Sequence, residues 1–243
     1  MRRDCFVEIE MIKKYIPNTI TCLNLFSGSV ACVYALRFDN LTAAFWLITA
    51  AAVFDFLDGF AARGLKAYSP IGADLDSLAD VVSFGLAPAT MIFSCIDTIT
   101  NNSIIAYAAF LLPVFAALRL AKFNIDTRQT TSFLGLPVPA SALFWASILP
   151  VIAPYCQTLP WLSTVVIFSM MLAFCGLMVS EIPMFSLKFK NFTWKDNQKP
   201  FLLIAISILY ILVFAILGKL LLSFSFIILT YIILSVYNRP KTA

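Results

Sequence analysis

The chain has 243 residues, of which 61% are hydrophobic and 12% charged, and its mean hydropathy is +0.91. Soluble domains carry about 25% charged residues, so the balance excludes a soluble globular protein, and the length leaves no room for a second globular domain. The formal net charge is only +4, and the basic residues form no stripe that would suit a nucleic acid.

A helix crossing the hydrocarbon layer needs about 20 mostly apolar residues. Residues 1–15 mix apolar and charged side chains (MRRDCFVEIEMIKKY) and are expected as a cytoplasmic surface segment, an amphipathic helix. Eight apolar stretches follow, at about residues 16–37, 41–63, 73–96, 103–121, 138–154, 160–180, 201–218 and 220–237. The first is not a signal peptide: it carries Asn18, Thr21 and Asn24 and lacks a clear small-residue cleavage site. The fifth is short and rich in proline. Residues 181–200 form the longest polar stretch and predict a cytoplasmic loop. Little more than Gly218 and Lys219 separates the last two stretches, which predicts a tight hairpin. The expected fold class is an all-α integral membrane protein with about eight transmembrane helices.

An even number of spans puts both termini on one side. Fifteen of the 17 basic residues fall before the first span, after the eighth, or between spans two and three, four and five, and six and seven. Only Arg37 and Lys219 fall on the other side. The excess of positive charge in cytoplasmic loops predicts that both termini are cytoplasmic.

The chain has no histidine, which removes the commonest general base and the commonest zinc ligand. The six cysteines form no C-x-x-C pair and are expected as small buried hydrophobes. Any metal must be held by oxygen.

Five of the 13 acidic residues lie between Asp55 and Asp80. A carboxylate at the centre of a membrane helix costs about 2.5–3.5 kcal/mol, less near the helix end. Asp55 and Asp58 lie near the cytoplasmic end of span two. Asp76 and Asp80 lie near the cytoplasmic start of span three, so the two pairs share one depth. At about 100° per residue, three- and four-residue spacings put each pair on one helix face. Asp74 turns away from Asp76 and belongs elsewhere. Four facing carboxylates either stay partly protonated or hold cations, and all-oxygen donors suit Mg²⁺ or Mn²⁺. Such ions usually share their coordination with substrate phosphates. Gly59 and Gly72 allow a ligand or helix to approach closely, and Arg63 sets a fixed cation beside the acids.

The spacing Asp55-x-x-Asp58-Gly59-x-x-Ala62-Arg63, eight residues, Gly72-x-x-x-Asp76-x-x-x-Asp80 resembles the CDP-alcohol phosphatidyltransferase signature at every fixed position. The segments IPNTITCLNLFSG, SLADVVSFGLAPA, LRLAKFN and GLPVP resemble its phosphatidylserine synthase branch, over about residues 12–150. The resemblance implies transfer of a phosphatidyl group from CDP-diacylglycerol to L-serine, with release of CMP. It implies that Asp55, Asp58 and Asp76 bind two divalent ions and that Asp80 is the general base and also reaches an ion. It further implies a homodimer. The spans themselves give a core of six helices at 16–180 and a C-terminal hairpin and tail at 201–243, and the loop charges give a site at the cytoplasmic face of the inner membrane.

Asn18, Thr21 and Asn24 at the start of span one, with Gly59, Arg63 and Gly72, are expected to line the CDP-lipid pocket. Serine carries a carboxylate and an ammonium group, so its pocket should hold a cation. Arg119 and Lys122 are placed for that, or for a phosphate, with Asn124 and Ser83 adding hydrogen bonds. The branch commonly has arginine at residue 122, and lysine keeps the charge but not the bidentate fork. Glycerol 3-phosphate or inositol phosphate is the alternative acceptor and would want more cations. A carboxylate-based cation transporter is a further alternative, but it would need acids near the midplane on several helices.

Overall fold

A computed structural model describes residues 2–126, 133–185 and 197–237. Most of the expected 181–200 loop therefore lies outside the described residues, as do Arg128, Lys188, Lys190, Lys195, Arg239 and Lys241, which entered the loop-charge count. The protein is all-α and membrane-spanning. Its helices are α1 (Arg2–Arg37), α2 (Leu41–Leu65), α3 (Pro70–Thr100), α4 (Ser103–Ile125), α5 (Val138–Cys156), α6 (Pro160–Val179), α7 (Gln198–Ile216) and α8 (Leu221–Tyr237). Seven have the length and apolarity to cross a membrane; α8, at 17 residues, is shorter. At 1.5 Å per residue α8 spans about 26 Å, close to the hydrocarbon thickness.

The backbone shows no break between the expected surface segment and the first span. α1 runs unbroken through Pro17. Proline in a helix interior removes one backbone donor; just beyond it, Thr19 Oγ1 donates to Tyr15 O at 2.8 Å, and Thr21 Oγ1 lies 3.1 Å from Pro17 O.

Capping residues explain the other ends. Asn40 caps α2 by accepting from Ala43 N–H, and Lys66 closes it in a left-handed conformation. Ser69 caps α3 by accepting from Gly72 N–H, with Pro70 at the first helical position. α3 is not a straight α-helix: a π turn at Val81–Leu86 follows Asp80 directly. Such turns widen a helix by one residue and often occur at functional sites. Here the turn packs against α1 and α4, and Gly28 of α1 gives it room, because a Cβ there would run into Ser83.

α1 packs along α2, and α3 packs mainly against α1. α5 joins α2 and α3 to α8, while α7 touches the bundle mainly through α8. The core is apolar and aromatic, with Phe45, Phe84, Phe144 and Trp145 fully buried. Phe144 stacks on Phe174 at 4.4 Å, joining α5 to α6. Ser147 and Ser225 share a 2.6 Å hydrogen bond between α5 and α8, the kind of small polar contact that holds membrane helices together.

The α4–α5 and α6–α7 connections meet in a two-stranded antiparallel ladder, β1 (Phe133–Leu134) with β2 (Pro183–Met184). Gly135 turns out of it at φ +75°. Its N–H donates to Ile182 O, and the next N–H, of Leu136, to Leu177 O, both at 2.9 Å. A Cβ on Gly135 would meet the carbonyls of Met178, Leu177 and Ser180.

Candidate active site

α2 ends and α3 begins at the same end of the bundle, joined by residues 66–69. This hairpin brings the four aspartates together. One oxygen each from Asp55, Asp76 and Asp80 lie within 4.8 Å of one another, and the Asp55 and Asp76 carboxyls lie side by side. Asp80 is 7% exposed and Asp58 6%, while Asp55 and Asp76 are half-buried and Asp74 is exposed. Asp58 stands apart from the tight trio. It accepts a 2.6 Å hydrogen bond from Thr21 Oγ1 of α1.

α1 supplies the third wall. Asn24, fully buried, directs its Nδ2 at Asp80 Oδ1, at 3.5 Å. Its backbone carbonyl accepts from the Ser83 hydroxyl at 3.0 Å. Ser83 is thus committed to α1, where the π turn points it, while remaining linked to Asp80 through Asn24. Two buried acceptors, Asn24 Oδ1 and Asp76 Oδ1, have no hydrogen-bond donor. Leaving such atoms without a partner is costly, and an all-oxygen cluster with spare acceptors fits a hard divalent cation. The residues present therefore fit the ions that the sequence implies.

Beside the acids lies a cavity of about 200 Å³ lined by Pro17, Asn18, Thr21, Asp58, Gly59, Ala62, Ala67, Tyr68, Ser69, Gly72, Ala73 and Asp76. Asn18, Thr21, Gly59 and Gly72 come together here, while Asn24 and Arg63 are not among the lining residues. The space depends on glycine: a Cβ on Gly72 would come within 2.8 Å of Asn18 Oδ1 and 2.9 Å of Ser69 Oγ. Arg63 is exposed. Its guanidinium lies beside Gly59, near enough to Asp58 to interact with its charge. Tyr68 and Ser69 were missed by the sequence reading. The helix-start pattern Ser69-Pro70 was a visible signal for Ser69, whereas nothing in the sequence singled out Tyr68.

A second cavity, of about 290 Å³, is lined by Arg119, Lys122, Ile125, Asp126, Leu134, Met178, Val179, Ser180 and Glu181. Arg119 is 8% exposed and its Nε is buried with no acceptor. Its guanidinium lies 5.2 Å from the Phe123 ring and close enough to Asp80 to feel its charge. It thereby connects this cavity to the carboxylates. Lys122 lines the same space. Asn124 does not: its Nδ2 donates to Ser77 Oγ at 3.0 Å, tying α4 to α3. The acidic side chains Asp126 and Glu181 were not foreseen here, because the strand that brings Glu181 back to α4 comes from a distant connection.

The sequence profile of the CDP-alcohol phosphatidyltransferase family matches residues 14–175. The chain belongs to that family. Curated relatives agree. It is 38% identical over 129 residues to the CDP-diacylglycerol–serine O-phosphatidyltransferase of Helicobacter pylori strain J99, covering 52% of this chain and 54% of that one. It is 37% identical over 129 residues to the Bacillus subtilis enzyme of the same name, covering 53% and 72%. The Methanocaldococcus jannaschii protein of that name is 38% identical over 140 residues, covering 58% and 63%. The chain thus matches about half the length of the Helicobacter pylori relative. The family match ends in α6, so α7 and α8 lie beyond it.

Proposed function

We propose that the protein transfers the phosphatidyl group of CDP-diacylglycerol to L-serine, forming phosphatidylserine and CMP. The observation that carries this is the Asp55–Asp76–Asp80 cluster, with Asp76 lining the Asn18–Gly72 cavity and Asp80 near Arg119 of the second cavity. Family membership and the names of three relatives support the chemistry and the acceptor.

Asp55, Asp58, Asp76 and Asp80 would hold two Mg²⁺ or Mn²⁺ ions. When bound, the ions offset charge on the pyrophosphate and on the departing CMP. Asp80 takes the proton from the serine hydroxyl as general base. The serine oxygen bonds to the lipid-side phosphorus, the bond from that phosphorus to the bridging oxygen breaks, and CMP leaves with that oxygen. Asn24 orients the Asp80 carboxyl, and Thr21 fixes Asp58. Asn18, Gly59, Arg63 and Gly72 receive the CDP moiety. Catalysis here is mainly positioning and charge neutralisation.

The Arg119 cavity carries both signs of charge: Arg119 and Lys122 against Asp126 and Glu181. That pattern suits a zwitterion, whose carboxylate pairs with arginine and whose ammonium group meets a carboxylate. A phosphate monoester would be repelled by the acids. This favours serine over glycerol 3-phosphate or inositol phosphate. Positive charge in the loops supports cytoplasmic termini and a site facing the cytoplasm from the inner membrane. In this reading residues 16–180 are the catalytic core, 201–243 an appended hairpin, and two copies form a dimer.

The test is CMP release by purified protein in detergent with CDP-diacylglycerol and Mn²⁺, comparing L-serine, glycerol 3-phosphate, inositol, inositol phosphate and no acceptor. Serine-dependent release, abolished by chelation and restored by metal, is expected. Release driven by another alcohol keeps the aspartate site and overturns the acceptor. Failure with all of them overturns the transferase and favours the cation transporter.

A further inference from the structure

α8 lies outside the matched family region, yet it touches the stretch of chain that walls the Arg119 cavity. Tyr231, 6% exposed near the end of α8, donates its hydroxyl to Phe185 O at 3.1 Å. Its ring packs on Phe185 with centroids 4.9 Å apart. Phe185 directly follows β2, which pairs with β1. The same stretch of chain carries Ser180 and Glu181, and Leu134 of β1 joins them in the cavity wall. Gly135 and Leu136 close the other side of the strap through Ile182 O and Leu177 O. Tyr231 also lies near enough to Arg119 for the two to interact electrostatically. One α8 side chain therefore stands between the strap that walls the cavity and the cation at its base.

We infer that Tyr231 is a positioning residue for the acceptor: by holding Phe185 it sets where the 180–185 strap, and with it Ser180 and Glu181, stands against Arg119. This rests on the reading that the Arg119 cavity receives the acceptor alcohol. The hydroxyl bonds to the strap at Phe185 O, so its loss should act on acceptor binding. α8 thereby gains a function that its apolar composition hides.

The test is Tyr231→Phe in the full chain, with Ser225→Ala as control. Ser225 is on the same helix and bonds to Ser147, away from the strap. Losing one neutral hydrogen bond predicts that Tyr231→Phe raises the serine KM about three- to tenfold, leaving kcat, the CDP-diacylglycerol KM and Tm near wild type. Ser225→Ala should lower Tm slightly and leave the serine KM unchanged. An unchanged serine KM in Tyr231→Phe overturns the inference. So does a joint change of kcat, both KM values and Tm, or an equal rise of the serine KM in Ser225→Ala. If wild type uses another acceptor, the serine assignment fails and the same comparison is made with that alcohol. Release with no acceptor at all overturns both.

Discussion

Helices α3 and α7 contrast most sharply. Over their most apolar stretches, 78% of α3 but only 11% of α7 is buried within the protein, although α7 is the more hydrophobic, at 2.4 against 1.6. In a water-soluble protein the more apolar helix would be the inner one. In lipid the tails are as apolar as leucine, and packing, small residues and polar contacts decide which helix is central. α3 carries Asp76, Asp80 and Ser83 and widens into a π turn between α1 and α4. α7 offers leucine and isoleucine all round and meets the bundle mainly through α8. Buried polarity, rather than hydropathy, marks the working part of this molecule.

The strongest way to break that contrast is at the carboxylates. Asp80→Asn removes the proposed base and Asp55→Asn one corner of the trio. Each should reduce CMP release at least about a hundredfold, as expected for loss of a general base or of charge stabilisation. Gel-filtration profile and Tm should stay near wild type, because asparagine has the same shape. Near-normal turnover in both variants would remove the site from α3.

Gly135→Ala comes next, read in stability. The residue sits at φ +75° with three carbonyls where a Cβ would go. A cost of about 1–3 kcal/mol follows from the backbone conformation, with the carbonyl clashes pushing it upward. Thermal unfolding in detergent checks this, and an unchanged Tm would mean that the β1–β2 strap has no fixed place. Thr21→Val then deletes the hydroxyl that bonds to Asp58 while keeping side-chain volume. Hydrogen bonds to charged groups contribute about 1.5–3 kcal/mol, so turnover should fall about tenfold or more, with folding retained. Gly72→Ala should be milder. The added methyl meets Asn18 Oδ1 and Ser69 Oγ, both at the ends of side chains that can shift. About 1 kcal/mol, the low end for overpacking, predicts a roughly fivefold higher KM for CDP-diacylglycerol with the serine KM unchanged.

Much of this architecture was legible beforehand, because the membrane imposes long apolar runs and the aspartate spacing is rigidly patterned. The eight helices, the Gly218 hairpin and the meeting of Asp55, Asp76 and Asp80 follow from those two facts. The finer arrangement was not legible. A straight helix would put Ser83 one layer below Asp76, but the π turn sends its hydroxyl to Asn24 O, and no local pattern of residues announces such a turn. Asn124 lies two residues after Lys122 in the sequence, yet it bonds Ser77 instead of lining the cavity with Arg119 and Lys122. Glu181 and Tyr231 reach the Arg119 region only through pairings between distant connections, which periodicity cannot reveal.

A pair of isoleucines, one of them with the smallest expected effect, gives the sharpest test of the contrast between α3 and α7. Ile92 of α3 is fully buried and Ile208 of α7 is 55% exposed. Cutting either to alanine removes the same atoms. At Ile92 the loss leaves a void in a close-packed interior and should cost about 2–5 kcal/mol. At Ile208 lipid refills the space, so the change should stay within about 0.5 kcal/mol and leave turnover unaltered. Hydropathy alone ranks the two isoleucines equal; only packing separates them. Equal losses of Tm would mean that α7 is covered by protein on the face now exposed, and a second copy of the chain seated there would be the first partner to seek by crosslinking in the membrane.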